Sequence, residues 1–165
     1  MKPYDQIADD LISDGALRDF YIESTSSDDW DNLLVCLPRI ATRYEFSYKG
    51  SSATKPTRFA DIQAMQVDDM PVLHVTIADA VVNCHFFCAD EIEMDFRPED
   101  FRSPPKWKEL LAYLQAVVDA VGKPGMITME NAKCAVIDRL EPRQKAEPGG
   151  RGYGSPVAGS PSPHR

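Results

Sequence analysis

The sequence has few of the features that mark several common classes of protein. Four of its 165 residues are cysteine and none forms a Cys-x-x-Cys pair, so we expect neither a disulfide framework nor a thiolate zinc site. No apolar stretch approaches the roughly 20 residues that span a bilayer. The first residues are interrupted by acidic ones, where a secretory signal would be apolar. These absences predict a cytoplasmic protein in a reducing compartment, with no membrane association.

Basic residues are also scarce. The chain has 18 Lys and Arg against 26 Asp and Glu, which gives a net charge of −8. Residues 141–165 hold four basic and two acidic side chains, so residues 1–140 carry a net charge of −10. Because nucleic acid requires a positive surface, we expect no nucleic-acid partner. An acidic domain suits a basic protein partner, although acidity also serves solubility alone.

The familiar catalytic motifs are missing as well. The sequence has no Gly-x-Ser-x-Gly nucleophile turn, no phosphate-binding Gly-x-x-x-x-Gly-Lys and no His-Glu-x-x-His. The glycine-rich residues 122–125 follow a predicted helix, and the carboxyl end of a helix disfavours anions. We therefore expect no cofactor, and a non-enzymatic protein is the leading interpretation.

The most regular pattern lies in residues 71–97, where apolar and polar residues alternate in three runs. Such alternation predicts an antiparallel meander with one face in the core and an acidic, histidine-bearing face toward water. The apolar members are Leu73, Val75 and Ile77, then Val82, Cys84, Phe86 and Cys88, and then Ile92, Met94 and Phe96.

Matching the apolar residues across the first hairpin predicts Val75 opposite Cys84 and His74 opposite His85. Either a two-residue loop at residues 79–80 or a four-residue loop at residues 78–81 allows this pairing. In the second hairpin, a three-residue loop at residues 89–91 places His85 opposite Asp95. Directly opposed side chains have Cβ atoms about 5 Å apart, so His74, His85 and Asp95 are expected to lie together.

These residues allow two interpretations. Two imidazoles and a carboxylate are a possible metal site or acid–base pair, which would make the protein a small enzyme or a metal-binding protein. Alternatively, they are charge-compensating neighbours on an open face that lacks a catalytic pocket. A binding protein would use this face to contact its partner, through His74, His85, Glu91, Glu93 and Asp95, and a structural or scaffold domain without an activity is the third possibility.

Patterns along the rest of the chain predict the remaining elements. We expect helices at residues 3–13, 25–38 (ending or bending at Pro38), 59–65 and 107–121, and strands at residues 17–23, 43–49, 126–129 and 135–137. A polar loop should occupy residues 51–56. The predicted fold class is α+β: one domain over residues 1–140, with a mostly antiparallel, twisted sheet of five to seven strands and two main helices packed on one face. Residues 141–165, rich in Gly, Pro and Ser, should form a disordered tail.

Several short segments carry a resemblance to a known family: LRDFYI (17–22), DW (29–30), NCHFF (83–87), DEIEMD (90–95), GKP (122–124) and TMEN (128–131). Together they resemble small bacterial immunity proteins that accompany polymorphic toxins. The resemblance covers residues 17–140 and implies a cytoplasmic protein that binds a cognate toxin and blocks its active site; the acidic composition favours a basic toxin. The resemblance implies no catalytic residues, and the oligomeric state stays open.

Overall fold

A computed structural model describes residues 1–143, which form an eight-stranded antiparallel sheet and three α-helices. The predicted α+β class is confirmed, with slightly more strands than expected. Short 3₁₀ helices lie at Tyr4–Gln6 and Pro98–Phe101. The strands and α-helices are β1 (Arg18–Glu23), α1 (Ser27–Ile40), β2 (Tyr44–Tyr48), β3 (Ser51–Ala53), α2 (Phe59–Met65), β4 (Val72–Ile77), β5 (Ala80–His85), β6 (Glu91–Phe96), α3 (Pro104–Val121), β7 (Gly125–Met129) and β8 (Ala132–Leu140).

The order of strands in the sheet is β3-β2-β4-β5-β6-β1-β7-β8. Strand β1, the first in the chain, lies between β6 and β7 and pairs with both in antiparallel register. It therefore joins the β4–β5–β6 meander to the C-terminal β7–β8 hairpin in a single sheet.

One face of the sheet is covered by the helices, since α1 and α3 pack against each other and bury their apolar stripes in a shared core. The predicted apolar residues of the meander strands lie in this core, as does Phe86 just beyond β5. The indole of Trp30 in α1 stacks on Phe59 at 5.1 Å and contacts Phe86, also at 5.1 Å between ring centroids. This aromatic cluster fixes α1 and α2 against the end of β5.

The N-terminal segment differs from the predicted helix at residues 3–13. Ile7 and Leu11 are buried as expected, but Ile12 is exposed and the chain continues past Gln6 in turns. The backbone N–H groups of Asp10, Leu11 and Ile12 bind the carbonyls three residues earlier instead of four, so this stretch forms a series of tight turns and not an α-helix. The buried guanidinium of Arg18 donates to the carbonyls of Asp10 and Ile12 at the end of these turns.

Helix α1 does not end at Pro38, one of the two predicted outcomes, but continues to Ile40. Pro38 has no N–H to donate to the carbonyl of Leu34. The ammonium of Lys55 replaces that donor, with its Nζ 2.9 Å from the Leu34 oxygen. The segment that carries Lys55 was predicted as loop, yet its first part forms the edge strand β3.

The structure describes only the first three residues of the predicted tail, residues 141–143. The side-chain amide of Gln115 donates to the carbonyl of Glu141 at 2.9 Å, and the Nε of Arg143 lies 2.7 Å from a carboxylate oxygen of Asp119. Both partners belong to α3. The remainder of the predicted tail, residues 144–165, lies outside the described residues.

The predicted pairing of β4 with β5 is wrong by two residues. Leu73 lies opposite Cys84, His74 opposite Asn83 and Ile77 opposite Ala80. The reason is the turn, which uses Ala78 and Asp79 with φ values of 50° and 65°. Positive φ at both central residues is the mark of a tight type I′ hairpin, whose twist suits the flanking strands.

The second hairpin is shifted by the same amount, so that His85 lies opposite Glu93 rather than Asp95. Strand β5 ends at His85, and Cys88 lies in the connecting loop instead of on the core face of a strand. Backbone carbonyls of this loop are bound by side chains next to α1 and α2, which prevents the hairpin from extending. A shift of two residues leaves every side chain on its predicted face.

The turn at Ala78 and Asp79 predicts opposite effects of two glycine substitutions on the stability of the protein. Ala78→Gly should stabilise the protein by up to about 1 kcal/mol, since alanine is strained at positive φ and glycine is not. Ala80→Gly should destabilise it by at least about 0.5–1 kcal/mol, because it weakens a strand and removes a buried methyl group. Urea unfolding of both variants measures the two effects. The reverse pattern of signs would support a turn at residues 79–80.

Candidate functional site

The sheet face opposite the helices carries the candidate site, and we call it the polar face. All five residues predicted from the sequence lie on it: His74 on β4, His85 on β5, and Glu91, Glu93 and Asp95 on β6. Each is partly buried, because the neighbouring side chains cover part of it. The face was predicted correctly, and so was the contact of His85 with Asp95. The predicted direct neighbourhood of His74 and His85 was wrong.

A chain of hydrogen bonds crosses three strands of this face. The Nε2 of His85 lies 2.6 Å from Oδ2 of Asp95, which is its diagonal neighbour on β6. The other carboxylate oxygen of Asp95 accepts from Asn83 at 2.7 Å, and the Oδ1 of Asn83 lies 2.8 Å from Nδ1 of His74. The two histidines, predicted to be opposite each other, are therefore connected only through Asn83 and Asp95.

The pKa values of His85 and Asp95 are shifted in opposite directions, as expected for an ion pair. The hydrogen bond to Asp95 raises the pKa of His85 above its usual value, against the opposing effect of burial. Burial on its own would raise the pKa of Asp95, but the hydrogen bonds from His85 and Asn83 outweigh it and the pKa is lowered. At mildly acidic pH, below about 6.5, the pair is thus a charged contact on a partly covered surface.

Strand β1 adds residues that the sequence analysis did not assign to the site. Asp19 and Tyr21 are each 3% exposed. Oδ2 of Asp19 accepts hydrogen bonds from the hydroxyl of Tyr21 at 2.8 Å and from the backbone N–H of Asn131 at 2.7 Å. Burial and the bond to Asp19 raise the pKa of Tyr21. The alternation in residues 18–23 places both side chains on one face, but it does not reveal that β6 is the neighbour.

Carboxylates face each other where β1 pairs with β6. Asp19 lies opposite Asp95, and Glu23 lies opposite Glu91. Like charges in directly opposed positions destabilise a sheet. Glu93, between these pairs, has a raised pKa, caused first by burial and then by the charges of Asp19 and Glu91. This part of the polar face therefore concentrates negative charge at a cost in stability.

Lys133 partly offsets that charge. It follows the β7–β8 turn in a stretch where the pairing of the two strands is irregular. Its ammonium contacts the carboxylate of Glu91, lies 3.5 Å from Glu23 and sits 4.7 Å from the centroid of the Tyr21 ring. The lysine shows that the carboxylates and the tyrosine ring of this surface accept a cationic side chain.

A cavity of about 350 Å³ lies beside the face, lined by residues that include Tyr21, Lys123 and Arg139, but His85 and Asp95 do not line it. The Lys123 ammonium is already bound to Asp29 at 2.8 Å. Among residues 1–143, no three His, Cys, Asp or Glu side chains are grouped as a metal would require.

Comparison with known proteins finds no match: no family model, no curated protein and no solved structure is similar to this chain. None of the helices in residues 1–143 combines the length and the apolar character needed to cross a membrane.

The His85–Asp95 pair predicts a pH-dependent contribution to stability. Because the pKa of His85 is raised from 6.5, its contribution is complete below about pH 6.5 and is lost as the pH rises through the folded-state value. Because the pKa of Asp95 is lowered from 3.8, its contribution is present above about pH 3.8 and is lost in stronger acid. The stability difference between wild type and His85→Gln should therefore be largest near pH 5–6 and should shrink above neutrality.

Urea unfolding at several pH values between 4 and 9 measures this difference. His74→Gln is the matched control, since its ring contacts the amide of Asn83 rather than a carboxylate. A difference for His85→Gln that stays constant from pH 5 to pH 9 would show that the imidazolium–carboxylate pair does not contribute.

Proposed function

We propose that this protein is a non-enzymatic, cytoplasmic immunity protein of a bacterium, which neutralises a cognate toxin by binding it through the polar face. The observation that carries the proposal is the two pairs of opposed carboxylates, Asp19 with Asp95 and Glu23 with Glu91. Such an arrangement costs stability, and proteins commonly retain destabilising features at functional sites. A basic partner would pair with these carboxylates, so that relief of their repulsion would favour binding.

The charge of the chain supports the same kind of partner. The net charge is −8, and the carboxylates of β1 and β6 concentrate part of it on one surface. Complementary charge steers association and rejects wrong partners more than it adds raw affinity. Rapid capture of a basic toxin, followed by coverage of its active site, is the action that this surface suits.

Lys133 supports the choice of a cationic partner, because the chain's own lysine already occupies part of the acidic surface. A partner's lysine or arginine side chains would contact the same carboxylates and the neighbouring ones, Glu93 and Asp95. The partial covering by Lys133 leaves the β4 and β5 side of the polar face, with His74 and His85, accessible to a partner.

The direct test uses the product of the gene adjacent to the one that encodes this chain, purified in an inactivated form. We expect a stable one-to-one complex by sedimentation, and survival of cells that express the active toxin only when this chain is co-expressed. Absence of both the complex and the protection would refute the proposed function.

Removal of two charges should slow the association. In the variant Glu91→Gln with Glu93→Gln, the association rate at low salt should fall by roughly three- to tenfold, and its salt dependence should weaken. Stopped-flow mixing at two ionic strengths measures both. The control is Asp5→Asn with Asp9→Asn, an equal change of charge at exposed positions near the helical side of the molecule. Equal rates for the two double variants would exclude β6 from the interface.

The alternative of a metal-binding protein or small enzyme at His74, His85 and Asp95 has one observation in its favour, the 2.6 Å contact between His85 and Asp95. Against it, one ring nitrogen of each histidine is engaged in the hydrogen-bonded chain, and Asn83 separates the rings. We expect calorimetric titration with zinc to show no sub-micromolar site. A tight site that is abolished by His85→Ala would instead establish the alternative.

A further inference from the structure

The loop between β5 and β6, residues 86–90, is held to the rest of the molecule through its backbone. The indole N–H of Trp30 donates to the carbonyl of Cys88 at 3.1 Å. The hydroxyl and the backbone N–H of Thr25 donate to the carbonyls of Ala89 and Asp90, at 2.8 Å and 2.9 Å. The side-chain amide of Gln66 donates to the carbonyl of Phe86. Four of the five carbonyls in this loop are thus bound by groups outside it.

Within this fixed loop, Phe87 points away from the core. Its side chain is 56% exposed, whereas its neighbour Phe86 is fully buried. The Phe87 ring stacks on His85 with 5.0 Å between ring centroids and an angle of 5° between the planes. His85 is in turn held by Asp95. An apolar ring is therefore kept in one orientation at the surface of the polar face.

We propose that Phe87 is the aromatic anchor of the interface, inserting into an apolar pocket that is bordered by Lys or Arg side chains on a basic protein partner. Buried aromatic anchors supply most of the energy at protein interfaces, while surrounding charges exclude water and set the approach. A ring that is already oriented loses little entropy on binding. This inference rests on the proposed function and adds to it the residue that controls dissociation.

The charges near Phe87 indicate which kind of partner binds this surface. Glu93 lies opposite His85, Asp95 binds it, and the exposed Asp90 lies in the same loop. Carboxylates in the same loop and on the neighbouring strand β6 favour a basic surface. They oppose a second copy of the same chain, because two such faces would repel each other.

A purely structural role for Phe87 would have different consequences. If the ring only shields the His85–Asp95 contact from water, its removal should lower the melting temperature and leave binding unchanged. If it is the anchor, its removal should leave the melting temperature almost unchanged, because the exposed side chain contributes little to the core.

The experiment compares wild type, Phe87→Ala and Val67→Ala, with the catalytically disabled product of the neighbouring gene as the probe. Val67 is the control, since it is 86% exposed and lies outside the loop. By surface-immobilised binding we expect Phe87→Ala to dissociate at least about thirtyfold faster than wild type, with an association rate changed by less than about threefold. Val67→Ala should behave as wild type.

The experiment distinguishes failure of the Phe87 anchor from failure of the proposed function. If wild type binds and Phe87→Ala dissociates no faster than Val67→Ala, the anchor is refuted and the proposed function stands. If wild type does not bind the probe, the proposed function falls and the anchor with it. Self-association of free wild type that is abolished by Phe87→Ala would replace the basic partner with a second copy.

A nuclear magnetic resonance measurement on the free protein tests whether the Phe87 ring is held in place before binding. We expect nuclear Overhauser contacts between the rings of Phe87 and His85 in wild type, and their weakening in Asp95→Asn, which removes the charged partner of His85. Their absence from wild type would contradict a ring held in place before binding.

Discussion

The structure depends on the pairing of β1 with β6 on one side and β7 on the other. This one strand, from near the start of the chain, joins the meander to the C-terminal hairpin and supplies Phe20 and Ile22 to the core. The same register places Asp19 and Glu23 against carboxylates of β6. The pairing that completes the apolar core therefore also creates the acidic surface on the opposite face.

The stability of the polar face results from partial compensation. Asp95 is stabilised by His85 and Asn83, Asp19 by Tyr21 and a backbone N–H, and Glu91 by Lys133. Glu93 has no comparable hydrogen bond in its favour, and its pKa is raised. Since a charge that is poorly compensated in the free protein gains most from a cationic partner, Glu93 is the residue at which the proposed binding and the stability of the free protein would be most opposed.

The sequence was sufficient to predict the fold class and the face on which each candidate residue lies, because alternation with a period of two reports faces directly. It was not sufficient to predict register. The hydrophobic pattern of residues 73–86 fits two registers two residues apart, and the choice depended on a turn at Ala78, where alanine is unusual. His74 and His85 were consequently paired with each other instead of with Asn83 and Glu93. Lys133 and Asp19 reach the site through pairing between distant strands, which no local pattern reports.

The β5–β6 loop is held in place through its backbone carbonyls. Its conformation therefore does not depend on which side chain it exposes. Trp30, Thr25 and Gln66 bind main-chain oxygen atoms, which every amino acid possesses. The residue at position 87 can therefore vary in size and polarity without disturbing the donors that shape the loop. With the proposed role of Phe87, such a position would allow the binding preference of the protein to diverge quickly while its folding stays constant, and it would be a natural site at which to redirect the protein toward a different partner.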